Sequence, residues 1–180
     1  MRIVSGSFKG RRFSPPKNFR ARPTTDTARE ALFNILANNI DFEELEVLDL
    51  FAGTGAISLE FASRGARAVT CIEKDFHHQK FIRQCVQDLA LENIIQVIKA
   101  DVFTVLAKGE LKPCPLIFAD PPFDLRDFDK VLPAVLESGL LQSEGLFILE
   151  HGPDRNYSTH PAFEQLRSYG KVNFSFFRPQ

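Results

Sequence analysis

From residue 46 onward, short apolar runs alternate with segments of helical periodicity, and this alternation constrains the fold most. The runs with the length of a buried strand lie at residues 47–51, 68–72, 94–98, 116–119 and 146–149. Helical spacing of apolar residues occupies the stretches between them, as at 57–64 and 76–91. Strands that alternate with helices pack as a largely parallel sheet covered on both faces, so we predict an α/β fold. A turn at 169–171 followed by an apolar run at 172–177 predicts a closing antiparallel pair at the sheet edge.

The length and composition set further bounds on the class of protein. The 180 residues, 44% of them hydrophobic, suffice for one compact core, so we expect a single structural domain. No apolar run approaches the roughly 20 residues that span a bilayer, and no secretory signal is visible, so we expect a cytoplasmic protein without membrane contact. The three cysteines have no CxxC spacing and the four histidines form no constellation, so we expect buried thiols and no metal.

The N-terminal residues are basic, whereas the rest of the chain is mildly acidic. Residues 1–30 contain eight Lys and Arg against two acidic residues, a net charge of +6, and the remaining 150 residues carry −7. Residues 2–4 and 11–13 flank a glycine-bearing stretch and predict a β-hairpin, which must dock on the domain because an isolated hairpin is marginal. We therefore expect residues 1–25 to form a basic hairpin and arm packed on a domain of residues 26–180. Such an arm suits contact with nucleic-acid phosphates, although a solvated ribbon is the alternative.

Three positions at predicted strand ends point to a nucleotide-like ligand. Gly53 and Gly55 form a G-x-G turn after the first strand, where backbone can approach a ligand closely, although an ordinary tight turn has the same sequence. Glu73 lies 20 residues later, the spacing at which a carboxylate accepts from ribose hydroxyls. Asp101 ends the third strand and is equally suited to contact an adenine amino group or to cap a helix. An adenosine-containing ligand is indicated, and Ser58 in place of the third glycine argues against a dinucleotide.

The segment Asp120-Pro121-Pro122-Phe123 follows the fourth strand and forms a potential acceptor loop. Two consecutive prolines lack N–H groups and hold the chain extended, so the loop presents acceptors without competing donors. The Asp120 carboxylate and a backbone carbonyl, best that of Pro121, can accept the two N–H groups of a planar amino group, and Phe123 can stack on its ring. An Asp-Pro turn leaving a strand is the alternative interpretation.

The chain resembles the RsmD family of bacterial 16S rRNA guanine-N2 methyltransferases over nearly its full length. The matching stretches are 2–4 with 9–11, Arg-Pro-Thr-Thr-Asp at 22–26, 30–36, 48–55, 120–123 and 169–170. The Arg-Pro-Thr segment is the specific part, because the turn and the acceptor loop occur across many amino methyltransferases. Phe123 stands where tyrosine is frequent in the family.

This resemblance implies a Rossmann-like class I methyltransferase with a seven-stranded, mostly parallel sheet, helices on both faces and an N-terminal hairpin arm. It implies S-adenosylmethionine as cofactor, held by Asp49, Phe51, Gly53, Gly55, Glu73 and Asp101. The catalytic loop would be Asp120, Pro121, Pro122 and Phe123. The RNA-binding residues would be Arg2, Lys9, Arg11, Arg12, Arg22 and Thr24.

The reaction implied is direct in-line methylation of the exocyclic N2 of a guanine in 16S rRNA, guanine-966 by family resemblance. The substrate would be 16S rRNA within the 30S subunit or an assembly particle, and the enzyme is expected to be a monomer. The alternatives are an amino methyltransferase acting on DNA adenine or protein glutamine, and a non-catalytic RNA-binding module.

Overall fold

The computed structural model describes residues 1–16 and 26–179 and confirms the α/β prediction. Its elements, in chain order, are α1 (Asp26–Ala37), β1 (Glu46–Leu50), α2 (Ala56–Ser63), β2 (Ala68–Glu73), α3 (Phe76–Asp88), β3 (Ile95–Lys99), α4 (Val102–Lys108), β4 (Cys114–Ala119), a 3-10 turn (Phe128–Lys130), α5 (Val131–Glu137), β5 (Leu141–His151), β6 (Phe163–Tyr169) and β7 (Val172–Phe177). Strands and helices alternate up to β5, as the hydrophobic pattern predicts.

The seven strands form one mixed sheet in the order β3-β2-β1-β4-β5-β7-β6. The first five strands in that order are parallel, while β7 runs antiparallel to both β5 and β6. The predicted closing pair at the sheet edge is thus confirmed. From β1 the chain builds outward through β2 and β3, and then returns to the other side of β1 with β4, so the strand order reverses between β1 and β4. In open parallel sheets a crevice forms at this reversal, beyond the carboxyl ends of the strands.

The sheet separates two apolar cores, one on each face. On one face α1, α2 and α3 contribute side chains such as Leu32, Phe61 and Ile82, all with no exposed surface. On the other face α4 and α5 contribute Val102 and Val135. Burying each such side chain stabilises the fold by about 1.5–3 kcal/mol. The rigid double-sided packing fixes the loops that leave the strands.

Two element boundaries differ from the sequence prediction by three residues or more. The long helix ends at Asp88 rather than near residue 91, because Ala90 takes a left-handed conformation (φ 54°) and the Leu91 N–H returns to the Val86 carbonyl at 2.9 Å. This is a Schellman-type ending, which a glycine usually marks. The fifth strand begins at Leu141, well before the predicted residue 146, because its first residues are largely exposed and carry no apolar signal.

The N-terminal residues form the predicted hairpin in a minimal form and dock on α2. Arg2 pairs with Arg12 through a single antiparallel bridge. The side chain of Glu60, which has no exposed surface, accepts the N–H groups of Val4 and Ser5 at 2.8 and 3.0 Å. Ser63 Oγ accepts the Phe8 N–H at 3.0 Å, and donates to the Ser5 carbonyl at 2.6 Å. Four bonds from two side chains therefore hold the arm.

The cysteine prediction is also confirmed, since Cys71, Cys85 and Cys114 are free and buried. Among the residues that the structure describes, no helix is both long and apolar enough to cross a membrane.

Candidate active site

Two loops leave neighbouring strand ends at the crevice between β1 and β4. The Asp120 N–H at the end of β4 donates to the Leu50 carbonyl at the end of β1, at 3.3 Å. The Ala52 N–H on the other side donates to the Ile72 carbonyl of β2 at 3.0 Å. The acceptor loop and the G-x-G turn, distant in sequence, are therefore anchored at neighbouring strand ends.

The G-x-G turn is built from left-handed backbone. Phe51, Gly53 and Gly55 have φ values of 60°, 56° and 73°. A Cβ on Gly55 would lie 3.0 Å from Cγ1 of Ile82 on α3, and the left-handed φ would strain a larger residue at this position. Phe51 tolerates the unusual conformation at a cost of about 1–3 kcal/mol, and its ring contacts Phe103 edge-on at 6.4 Å between centroids.

Glu73 connects the G-x-G turn to the loop after β2. Its carboxylate accepts the Gly53 N–H at 2.8 Å and the Asp75 N–H at 2.7 Å, and only 8% of the residue is exposed. Gly53 and Glu73, which are 20 residues apart in the sequence, are thus joined by a direct hydrogen bond. The contact brings a fixed carboxylate to the strand end, where its predicted role as a ribose acceptor stays a prediction.

Asp49 lies beneath the turn rather than on its surface. It is 1% exposed, and its Oδ2 accepts the Ser58 hydroxyl of α2 at 2.5 Å. Burial raises the pKa of Asp49 to about 7, although the Ser58 hydrogen bond opposes the shift. Sequence reasoning treated Ser58 only as a missing glycine, and its role as the partner of Asp49 depends on a helix-to-strand contact that no local pattern reveals.

Asp101 caps α4. Its Oδ1 accepts the Thr104 N–H at 3.2 Å, and its Oδ2 lies 3.4 Å from Nζ of Lys74. The capping interpretation is confirmed, while the contact with an adenine amino group stays a prediction.

The acceptor loop has one buried and one exposed proline. Pro121 is buried and Pro122 exposed, and the Pro122 carbonyl accepts the Leu125 N–H at 2.8 Å within the turn. Because this bond occupies the Pro122 carbonyl, the Pro121 carbonyl is the better acceptor for a substrate amino group. Phe123 is 37% exposed, an unusual state for a large apolar ring and one suited to stacking.

Phe76 is a further candidate residue of the ligand site at the strand ends, and the sequence analysis did not identify it. It begins α3 directly after the Glu73 loop and is 55% exposed, with Nζ of Lys99 5.2 Å from its ring centroid. The available signal was an aromatic residue that lies off the buried stripe of its helix, which is formed by Ile82, Cys85 and Val86.

The predicted RNA-binding residues of the arm fall into two groups. Arg2, Lys9, Arg11 and Arg12 are exposed, and Nε of Arg2 lies 3.7 Å from an Asp26 carboxylate oxygen. Arg22 and Thr24 lie outside the described residues.

Arg29 adds to the positive charge of the N-terminal region but is structural. It is 1% exposed, and its Nη2 donates to the Arg2 carbonyl at 2.5 Å and to Asp26 Oδ1 at 2.7 Å. Residues 1–16 and 26–179 contain no group of three or more His, Cys, Asp or Glu placed to hold a metal ion.

Comparison with known proteins gives consistent matches. The model of a family described as conserved hypothetical protein 95 matches residues 1–178. Ribosomal RNA small subunit methyltransferase D of Escherichia coli K12 is 34% identical over 165 residues, covering 90% of this chain and 80% of the relative. The protein of the same name from Haemophilus influenzae is 29% identical over 157 residues, covering 86% of this chain and 80% of the relative.

Solved structures match over almost the whole chain. A hypothetical protein of Thermus thermophilus superimposes with a TM-score of 0.86 at 29% identity, covering 99% of both chains. An Escherichia coli protein described as a candidate methyltransferase gives 0.84 at 29% identity, covering 100% of this chain and 99% of the other.

Proposed function

The chain belongs to the family described as conserved hypothetical protein 95, the RsmD family of ribosomal RNA small subunit methyltransferases, and we propose on this basis that it methylates the exocyclic N2 of a guanine in 16S rRNA. The cofactor is S-adenosylmethionine. Family resemblance points to guanine-966. The observation that carries the proposal is the anchoring of the Asp120 acceptor loop beside the G-x-G turn, through the bond to Leu50.

The residues at the strand ends fit an adenosine-containing cofactor. The G-x-G turn provides backbone without side-chain obstruction, and Glu73 beside it presents an ordered carboxylate for ribose hydroxyls. Asp101 on the next strand end offers an acceptor for an amino group. Asp49 supports the turn from below through Ser58.

The acceptor loop orients the substrate amino group. S-adenosylmethionine, held by the residues at the strand ends, would supply an electrophilic methyl group to the N2 lone pair and would depart as S-adenosylhomocysteine. Asp120 and the Pro121 carbonyl accept the two amino hydrogens, and the Asp120 charge favours the positive charge that develops on N2. The extra proton then passes from N2 to Asp120 or to water. Positioning of donor and acceptor supplies about 7–11 kcal/mol in well-oriented systems.

The substrate guanine must leave its stack to enter this crevice, because a paired base cannot present its amino group. Phe123 provides an aromatic face for the unstacked base, and the exposed arginines of the arm hold flanking phosphates. We place the reaction in the cytoplasm, on the 30S subunit or an assembly particle, with the enzyme as a monomer.

The test is tritium transfer from labelled S-adenosylmethionine to 16S RNA from cells that lack this protein, presented naked and within 30S particles. Nucleoside analysis should recover the label in N2-methylguanosine. If DNA or protein offered as a separate substrate took the label instead, in N6-methyladenine or in glutamine, the corresponding amino methylation would replace this function. Binding of RNA without any transfer would indicate a non-catalytic RNA-binding module.

A further inference from the structure

The acceptor loop recognises an amino group but does not by itself select guanine. Adenine, cytosine and guanine all carry an exocyclic amino group with two N–H donors, and Asp120 with the Pro121 carbonyl satisfies only those donors. What distinguishes guanine is its N1–H, a third donor adjacent to the N2 amino group. Adenine and cytosine have an acceptor nitrogen in the corresponding place. Selection of guanine therefore needs a further acceptor beside the stacking ring.

The segment after β5 places such an acceptor there. Gly152 is buried at the end of β5, the neighbour of β4. A Cβ built on Gly152 would lie 3.5 and 3.6 Å from two ring carbons of Phe123, and 2.5 Å from Oδ1 of Asp154. The Asp154 carboxylate and the Phe123 ring thus both lie close to the position that a Cβ of residue 152 would occupy. With a larger residue at position 152, the Asp154 carboxylate would have to move.

Arg155 holds the Asp154 carboxylate in place. Nη1 of Arg155 donates to Oδ2 of Asp154 at 2.9 Å, whereas Oδ1 is the oxygen near Gly152. The Arg155 guanidinium stacks 3.8 Å from the ring centroid of the buried Phe128, and its side chain is 18% exposed. This cation–π contact with Phe128 fixes the Arg155 guanidinium, and the guanidinium in turn orients the Asp154 carboxylate. Asp154 itself keeps 67% of its side chain exposed, so a substrate can reach it.

We propose that Asp154 determines base specificity by accepting the N1–H of the guanine whose ring stacks on Phe123. This inference rests on the proposed function. A carboxylate facing N1–H satisfies guanine, while it repels the lone pair at N1 of adenine or N3 of cytosine. Sites that hydrogen-bond a substrate group discriminate strongly against analogues that lack it.

The experiment compares guanine with 2-aminopurine, which keeps the 2-amino group but has an unprotonated N1. The target nucleotide is first mapped with the wild-type protein, and 16S RNA is then assembled by ligation with either base at that position. The kcat/KM for methyl transfer is measured for the full-length wild type and for Asp154→Asn. We expect the wild type to prefer guanine. In Asp154→Asn, the value for guanine should fall by about ten- to a hundredfold, whereas the value for 2-aminopurine should rise, because the amide removes the repulsion at N1 and can donate a hydrogen bond to it.

The matched control is Asp129→Asn. Asp129 is the second carboxylate on Arg155, with its Oδ1 3.5 Å from Nε, and is 88% exposed. It should leave the preference for guanine unchanged. Equal losses for both bases in Asp154→Asn, or an unchanged preference, would overturn the role of Asp154. Methyl transfer to guanine by the wild type would in that case still support the proposed function. Absence of transfer to guanine N2 by the wild type would overturn both.

Discussion

At the residue scale, the buried Asp49 gives the protein a distinctive pH dependence. Its pKa is about 7 in the folded chain and 3.8 as the unperturbed value. Between these two values the unfolded chain has released the proton while the folded chain retains it, so the free energy of unfolding falls as the pH rises from 4 to 7 and then levels. A shift of this size corresponds to a loss on the order of 4 kcal/mol.

Asp49→Asn should therefore flatten this dependence, because an amide does not titrate. Urea unfolding at pH 4.5, 6 and 8 measures it, with Glu137→Gln, an exposed acid at the end of α5, as control. The control should follow the wild type. An equal pH slope in Asp49→Asn and wild type would mean that Asp49 is ionised throughout the folded state.

Asp120→Ala should abolish methyl transfer with little loss of stability. The residue stands on a loop, and its anchoring bond to Leu50 is made by the backbone N–H, which alanine retains. Transfer to 16S RNA and thermal unfolding are measured together. Activity above about a tenth of the wild-type value would contradict the electrostatic role of Asp120, which in comparable sites accounts for more than tenfold.

The sequence was sufficient for residues whose role follows from a local motif, and insufficient for those whose role needs a contact. Glu73 and the G-x-G turn were identified from spacing, and the structure joins them by a hydrogen bond. Ser58 and Asp154 were not identified, because a serine in a helix and an aspartate in a loop are ordinary. Only folding brings Ser58 to Asp49, and places Asp154 and the Phe123 ring on the same side of Gly152.

At the element scale, α2 lies between the G-x-G turn and the basic arm and contacts both. Its first turn follows the G-x-G turn, and its last turn carries Glu60 and Ser63, which hold the basic arm. One helix of eight residues therefore sets the distance between the cofactor region and the arm.

Glu60→Gln should loosen the arm. An amide NH₂ cannot accept from Val4 or Ser5, so at least one buried donor loses its partner at a cost of about 1–3 kcal/mol. Hydrogen exchange should accelerate at residues 4 and 5, and RNA affinity should fall while affinity for S-adenosylmethionine stays within about twofold. Unchanged exchange at these two amides would show that the arm is held by other contacts.

The order and type of elements were predictable because the periodicities of strand and helix differ clearly along most of the chain. The boundaries were less predictable. The start of β5 pairs with β4 through Leu141 and Cys114, and the apolar pattern of the sequence does not predict this pairing. The end of α3 depends on Ala90 taking a conformation that its sequence does not favour.

At the scale of the whole molecule, positive charge is concentrated in the N-terminal residues, of which 1–16 dock on α2. The net charge of −1 for the chain conceals a basic N-terminal region on an acidic domain. Such an arrangement directs phosphates to one surface and keeps the rest from binding them.

The double variant Arg11→Glu with Arg12→Glu should weaken RNA binding and leave cofactor affinity unchanged. Each lost phosphate contact should reduce the slope of log K against log salt by about 0.7 for single-stranded RNA. Filter binding at several salt concentrations measures both quantities. The control, Lys108→Glu with Lys171→Glu, makes the same charge change at exposed positions off the arm. Equal losses in both double variants would assign RNA affinity to net charge rather than to the arm.

The position of β7 between β5 and β6 has a consequence for truncated chains. In a fragment that ends before residue 172, β5 lacks the strand that pairs with its outer edge. Such a fragment presents an apolar edge with unpaired backbone N–H and C=O groups, the kind of edge that recruits other chains. Truncated chains without β7 should therefore aggregate more readily than the full chain.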